Sequence, residues 1–108
     1  MKYRHYAPDS MLLLFKTGYE LVDYLKKSGL NSVSIMISLN QLKGVNSLLQ
    51  NFNVIQLYTY DSSEELGENL FSKLREMDRN KTEAILIQFN DTDGFGKSIL
   101  NRLKKAAS

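Results

Sequence analysis

The 108-residue sequence predicts a doubly wound α/β fold, a mainly parallel sheet of about four strands with helices on both faces. Three observations predict it. Short apolar runs alternate with amphipathic stretches four times along the chain. Helix-capping residues stand at the starts of those stretches. The connections between runs are short. Such alternation implies parallel strands joined by right-handed crossovers.

The elements follow in order. Met11-Leu12-Leu13-Leu14-Phe15 is a continuous apolar run, the pattern of a strand buried on both faces. Thr17 with Glu20 forms a capping box for a helix whose apolar stripe is Leu21, Val22 and Leu25. Ser28-Gly29 ends it, glycine supplying the left-handed residue. Val33-Ser34-Ile35-Met36-Ile37 is the second strand, and a helix is expected from about Gln41 to Gln50. Leu42, Val45, Leu49 and Phe52 recur there at helical spacing. Val54-Ile55-Gln56-Leu57-Tyr58 is the third strand. Ser62 then caps the third helix, Glu65 completes a second capping box, and Leu66, Leu70, Leu74 and Met77 line one face. Its acids (Glu64, Glu65, Glu68) come early and its bases (Lys73, Arg75, Arg79) late, as the helix macrodipole favours. Ala84-Ile85-Leu86-Ile87 is the fourth strand, and a last helix carries Ile99, Leu100 and Leu103.

Composition narrows the function classes. Fourteen basic and twelve acidic residues leave a net charge of +2, too little to argue for nucleic acid without a concentrated basic face. The chain has no cysteine, which excludes disulfides and thiolate metal sites, and a single histidine, which excludes a multi-histidine metal site within it. No apolar run reaches the roughly 20 residues that span a bilayer, and no segment has the order of a signal peptide. A cytoplasmic domain is the expectation.

Residues 1–10 are expected to be an arm and residues 11–108 the domain. Met1-Lys2-Tyr3-Arg4-His5-Tyr6-Ala7-Pro8 has neither helical nor strand periodicity, and Pro8 pushes Ala7 toward extended geometry. Two readings stay open for it. One is a solvated tail. The other is an arm whose arginine and lysine meet phosphate or carboxylate while its tyrosine rings stack.

Three weaker signals lie in the domain. Asp93-Gly94-Phe95-Gly96 stands between a strand and a helix. It reads either as a phosphate-holding turn at a helix N-terminus or as a tight turn with Asp93 as cap. It matches neither the dinucleotide fingerprint nor a P-loop. Asp61, Asp91 and Asp93 are expected at the carboxyl ends of strands, where open α/β sheets bind ligands. Carboxylates there serve as turn and cap residues or hold magnesium, and no metal site is assigned. The basic run Lys97, Arg102, Lys104 and Lys105 complements the negative end of its helix. It carries no interleaved aromatics for stacking nucleic-acid bases, so direct nucleic-acid binding is not predicted. No catalytic residue is assigned.

Three segments carry a resemblance. Residues Met1 to Pro8 look like the linker signature of the two-domain threonylcarbamoyl-AMP synthases. Asn69-Leu70-Phe71-Ser72-Lys73-Leu74-Arg75-Glu76-Met77-Asp78 resembles that family's third-helix segment. Gly94 to Ala107 resembles its C-terminal signature. The resemblance covers the whole chain in the family's order. It implies a Rossmann-like three-layer sandwich that is the accessory C-terminal domain of a nucleotidyltransferase. That enzyme converts L-threonine, bicarbonate and ATP, with magnesium, to threonylcarbamoyl-AMP for tRNA threonylcarbamoyladenosine modification.

It further implies a YrdC-like catalytic domain as partner, and a linker that folds over the active-site opening. Lys2, Tyr3, Arg4, His5 and Tyr6 would belong to that gating segment. Asp61, Asp93, Gly94 and Gly96 remain the candidate ligand residues at the strand ends. No cofactor is expected in this chain, and without the catalytic half it is not expected to be active. An excised domain and a split-gene product both fit. Gln88 stands where the family pattern has glutamate, and Phe95 and Lys97 replace smaller or apolar residues. The alternative is a stand-alone nucleotide- or RNA-binding α/β module.

Overall fold

The computed structural model describes residues 10–91 and 94–107. Lys2, Tyr3, Arg4, His5, Tyr6 and Asp93 therefore lie outside the described residues. The elements run β1 (Met11–Phe15), α1 (Gly18–Ser28), β2 (Val33–Ser38), α2 (Leu39–Leu49), β3 (Val54–Tyr60), α3 (Ser63–Arg79), β4 (Ala84–Gln88) and α4 (Phe95–Ala107). All strand pairs are parallel, in the order β1-β4-β2-β3. The central pair aligns Val33 with Ala84 and Met36 with Ile87.

One apolar cluster packs α1 and α2 on one face through Leu21, Val22, Leu25, Val45 and Leu49 against Ile35, Ile37 and Leu86. The other packs α3 and α4 on the opposite face through Leu66, Leu70, Leu74, Met77, Ile99 and Leu103 against Met36, Ile85 and Ile87. Alternation along β2 and β4 sends neighbouring side chains to opposite clusters. Both strands are buried at every position from Val33 to Ile37 and from Ala84 to Gln88. Each fully buried aliphatic side chain contributes roughly 1.5–3 kcal/mol, so these two strands and the helix stripes supply the main driving force.

The apolar run Met11–Phe15 is not buried on both faces as its composition suggests. Only Leu12 is buried, and Met11 is 46% exposed. The reason is position: β4 inserts between β1 and β2 and leaves β1 at an edge.

Local chemistry explains the boundaries. The α1 capping box is complete: Thr17 Oγ1 accepts from Glu20 N, and Thr17 N donates to Glu20 Oε1. Gly29 ends α1 at φ 71°, in the left-handed region. Helix α2 starts at Leu39 rather than Gln41, because Ser38 ends β2 and at once caps the helix by accepting from Gln41 N. At α3, Ser62 accepts from Glu65 N, but the Glu65 carboxylate reaches Asp61 N at 2.9 Å instead of the cap residue's own N–H. The box read from the sequence is thus displaced by one residue.

Candidate functional site

The carboxyl ends of β2, β3 and β4 diverge into helices on different faces. Helix α2 leaves β2 on one side of the sheet, while α3 and α4 leave β3 and β4 on the other. Connections that part in this way open a crevice beyond the strand ends. A cleft of about 220 Å³ lies there. Ser38 and Gln41 form one wall, Tyr60, Asp61 and Ser63 another, and Gln88, Asn90 and Asp91 the floor and far side.

Gln88 organises the cleft. Its Nε2 donates to Lys16 O at 2.9 Å, just after β1. Its Oε1 accepts from Ser38 N at 3.0 Å, at the end of β2. Its main-chain carbonyl accepts the Tyr60 hydroxyl at 2.5 Å, from the end of β3. One buried residue on β4 therefore ties together the ends of the other three strands, its side-chain amide holding β1 and β2 and its main-chain carbonyl holding β3. A carboxylate could accept from Ser38 but, while ionised, could not donate to Lys16. The glutamine is thus an anchor whose neutrality the geometry requires.

Burial first, and then the nearby Asp91 carboxylate, hold the Tyr60 phenol far above its ordinary value of 10.0. A phenol whose pKa is raised by folding gives stability that is whole below the unfolded value and is lost as pH climbs through the folded one. Urea denaturation across alkaline pH should show stability falling above about pH 10. Tyr60→Phe should cost about 1–2 kcal/mol at neutral pH through the lost bond to Gln88 and should flatten that alkaline slope. An unchanged slope in the variant would assign the loss to other groups.

Asp91 lies in the loop between β4 and α4. Its Oδ2 accepts from Ser63 Oγ at 2.5 Å. A β-carbon at Gly96 would coincide with the Asp91 carboxyl group. Gly96 is buried and lets that carboxylate lie against the first turn of α4. Gly94, exposed at φ 50°, makes the turn before it. The turn residues Gly94 and Gly96 thus have structural duties. Of the two readings open for this turn, a phosphate-holding helix N-terminus and a tight capped turn, the second fits: the Asp91 carboxylate lies against the first turn of α4.

Ser38 and Ser62 likewise cap α2 and α3 beside the cleft. Asp61 is exposed on the rim. Two carboxylates and the capped ends of α2 and α3 thus border the cleft. Among the described residues, no group of three or more His, Asp or Glu side chains is placed to hold a metal ion. No helix of the described residues is long and apolar enough to cross a membrane.

The cleft and Ser10 lie at opposite edges of the sheet. Ser10, where the chain enters β1, is held at the amino edge. Its N donates to Asp78 Oδ1 at 2.9 Å, and its Oγ donates to Thr82 O at 2.8 Å. Strand β1, about 16 Å of extended chain, separates that anchor from the carboxyl edge. The sequence had pointed to Asp61 and Asp91 at the cleft but not to Ser38, Gln41, Tyr60 or Ser63. The signal that could have found them is the rule that ligands gather past strand carboxyl ends. It failed because β2 and β3 run on to Ser38 and Tyr60, beyond the limits expected from their apolar runs.

Comparison with known proteins adds the identity. Residues 1–108 match the family described as threonylcarbamoyl-AMP synthase, C-terminal domain. The chain belongs to this family. It is similar to the threonylcarbamoyl-AMP synthase of Schizosaccharomyces pombe, at 31% identity over 100% of this chain and 28% of the relative. It is also similar to the Pyrococcus abyssi threonylcarbamoyl-AMP synthase, at 32% identity over 99% of this chain and 31% of the relative. The chain therefore spans less than a third of the curated relatives it matches.

Among solved structures, P. abyssi Sua5 complexed with L-threonine superimposes with a TM-score of 0.71 at 29% identity, over 99% of this chain and 31% of that one. A variant of P. abyssi Sua5 with a histidine and a tyrosine replaced by alanine gives 0.68 at 28% identity, over 99% of this chain and 30% of that one. The α/β three-layer architecture and the family assignment agree with the sequence reading.

Proposed function

We propose that this chain is the accessory domain of a threonylcarbamoyl-AMP synthase and that residues 1–10 gate the active site of a YrdC-like catalytic domain. The observation that carries the reading is the match itself: the whole chain aligns, yet it accounts for under a third of each curated relative. The chemistry of L-threonine, bicarbonate and ATP with magnesium would then belong to the other part, in the cytoplasm. The body of this domain would act as a rigid base. The Ser10 bonds to Asp78 and Thr82 would fix where the arm departs.

Lys2 and Arg4 would meet phosphate or carboxylate groups, and Tyr3, His5 and Tyr6 would pack over the substrates and restrict water, the service of a lid. In one of the solved P. abyssi Sua5 structures the two residues replaced by alanine are an adjacent histidine and tyrosine. His5-Tyr6 is the one such pair that this chain contains, which supports assigning the arm a working role.

The test combines this chain with a YrdC-like domain and follows pyrophosphate release from ATP in the presence of L-threonine and bicarbonate. A Tyr3→Ala/Arg4→Ala/His5→Ala variant is expected to lower productive turnover by about tenfold or more, the loss of about 1.4 kcal/mol of transition-state stabilisation. Equal rates for variant and wild type would end the gating reading.

A further inference from the structure

The open edge of β3 carries an inference independent of the accessory-domain reading. Strand β3 ends the sheet order, so one side of its backbone has no strand partner among the described residues. Its sequence, Val54-Ile55-Gln56-Leu57-Tyr58-Thr59-Tyr60, contains no charge, no proline and no glycine. Edge strands are ordinarily guarded by such residues. Among the described residues its guard is a bulge at Ile55, which leaves the stretch from Gln56 onward regular. Ile55 is 49% exposed and Leu57 43%, beside a shallow groove of about 250 Å³ walled by Leu49, Phe52 and Val54.

We propose that β3 pairs antiparallel with β3 of a second copy of this chain, about a twofold axis through Leu57, to join two four-stranded sheets into one of eight. Charge complementarity selects a second copy and selects this register. Helix α3 runs along the edge, and its side chains mark heights on β3. The Lys73 ammonium lies 5.3 Å from the centre of the Tyr58 ring and bridges the Glu76 carboxylate of its own copy at 3.3 Å. The Glu76 carboxylate accepts from Gln56 Nε2 at 3.0 Å.

Tyr58 and Gln56 stand one residue either side of Leu57. A dyad at Leu57 therefore sets Tyr58 of one copy opposite Gln56 of the other. It sets the Lys73–Glu76 pair of each copy head to tail against that of its partner, so that each ammonium also faces a second carboxylate. A dyad shifted by one residue to Tyr58 would instead set Lys73 against Lys73. On the α2 face the same register pairs Leu57 with Leu57, an apolar cross-strand contact. A C2 pairing of this kind is self-complementary and closes on two copies.

The test is sedimentation velocity on the full chain over a micromolar concentration series. The expected result is a monomer–dimer equilibrium. Leu57→Lys, at an exposed position, should raise the dissociation constant by at least about tenfold while thermal melting shows the fold intact. Lys73→Glu and Glu76→Lys should each weaken self-association. An equimolar mixture of the two should form the heterodimer, since each then offers the charges that the other lacks, and the double variant K73E/E76K should recover the wild-type dimer.

A monomer at every concentration overturns the proposal. So does a dimer indifferent to Leu57→Lys, which would place the interface elsewhere. Failure of the mixed single variants to associate overturns the dyad at Leu57, and it does so whether or not the lysine variant folds.

Discussion

Replacing Gln88 by leucine is expected to destabilise the domain by about 2–4 kcal/mol, because it removes the partners of two part-buried main-chain groups at once. The Ser38 N–H and the Lys16 carbonyl would lose the Oε1 and Nε2 that now satisfy them. Leucine has similar bulk, so the loss would report polar satisfaction rather than a cavity. Urea denaturation of both proteins at neutral pH measures it.

Gln88→Glu separates bond geometry from charge. A neutral carboxyl can accept from Ser38 and donate to Lys16 much as the amide does, whereas the ionised form presents a buried negative charge to the Lys16 carbonyl. Burial raises the folded-state pKa of that glutamate above its unfolded value near 4.3. Its favourable contribution is then whole below the unfolded value and is lost as pH rises through the folded one. The variant should stand closest to wild type in acid and fall progressively behind it toward neutrality. A deficit that does not change with pH would mean that the carboxylate has swung out to solvent and that the sheet tolerates loss of its ties to Lys16 and Ser38.

The same residue shows what a sequence can and cannot disclose. Elements set by local chemistry were legible. Thr17 with Glu20, Gly29, and the stripe Leu66, Leu70, Leu74 and Met77 all depend on neighbours within a few positions, and all behave as their spacing predicts. Strand order depends on pairing between residues distant in sequence, and no local pattern encodes it. The run Met11–Phe15 is as apolar as an inner strand yet lies at an edge, because β4 takes the place beside β2. Gln88 stood out only as a departure from an acidic residue. Its partners Lys16, Ser38 and Tyr60 come from three other segments, and only the assembled sheet brings them within reach. The neutral amide also explains the departure physically, since the position here works as a tie between strand ends.

Gly96 poses the complementary question, whether a glycine near a strand end serves a ligand or the fold. Gly96→Ala is expected to cost about 2 kcal/mol, the scale of overpacking a filled site. The new β-carbon would take the space of the Asp91 carboxyl group, which would have to leave its bond to Ser63. Away from such a clash, alanine favours a helix over glycine by about 0.8–1.0 kcal/mol. The sign of the effect should therefore depend on residue 91. In an Asp91→Gly background the obstructing side chain is gone, and Gly96→Ala should be neutral or stabilising by up to about 1 kcal/mol. The difference between the two backgrounds is the coupling energy of the pair, about 2–3 kcal/mol by a double-mutant cycle in urea, within the range for residues in contact. A cost that stays the same after Asp91 is removed would show that Gly96 is required for something other than seating that carboxylate. The occupied-helix-end account of this turn would then give way to the reading in which the glycine leaves room for a bound group.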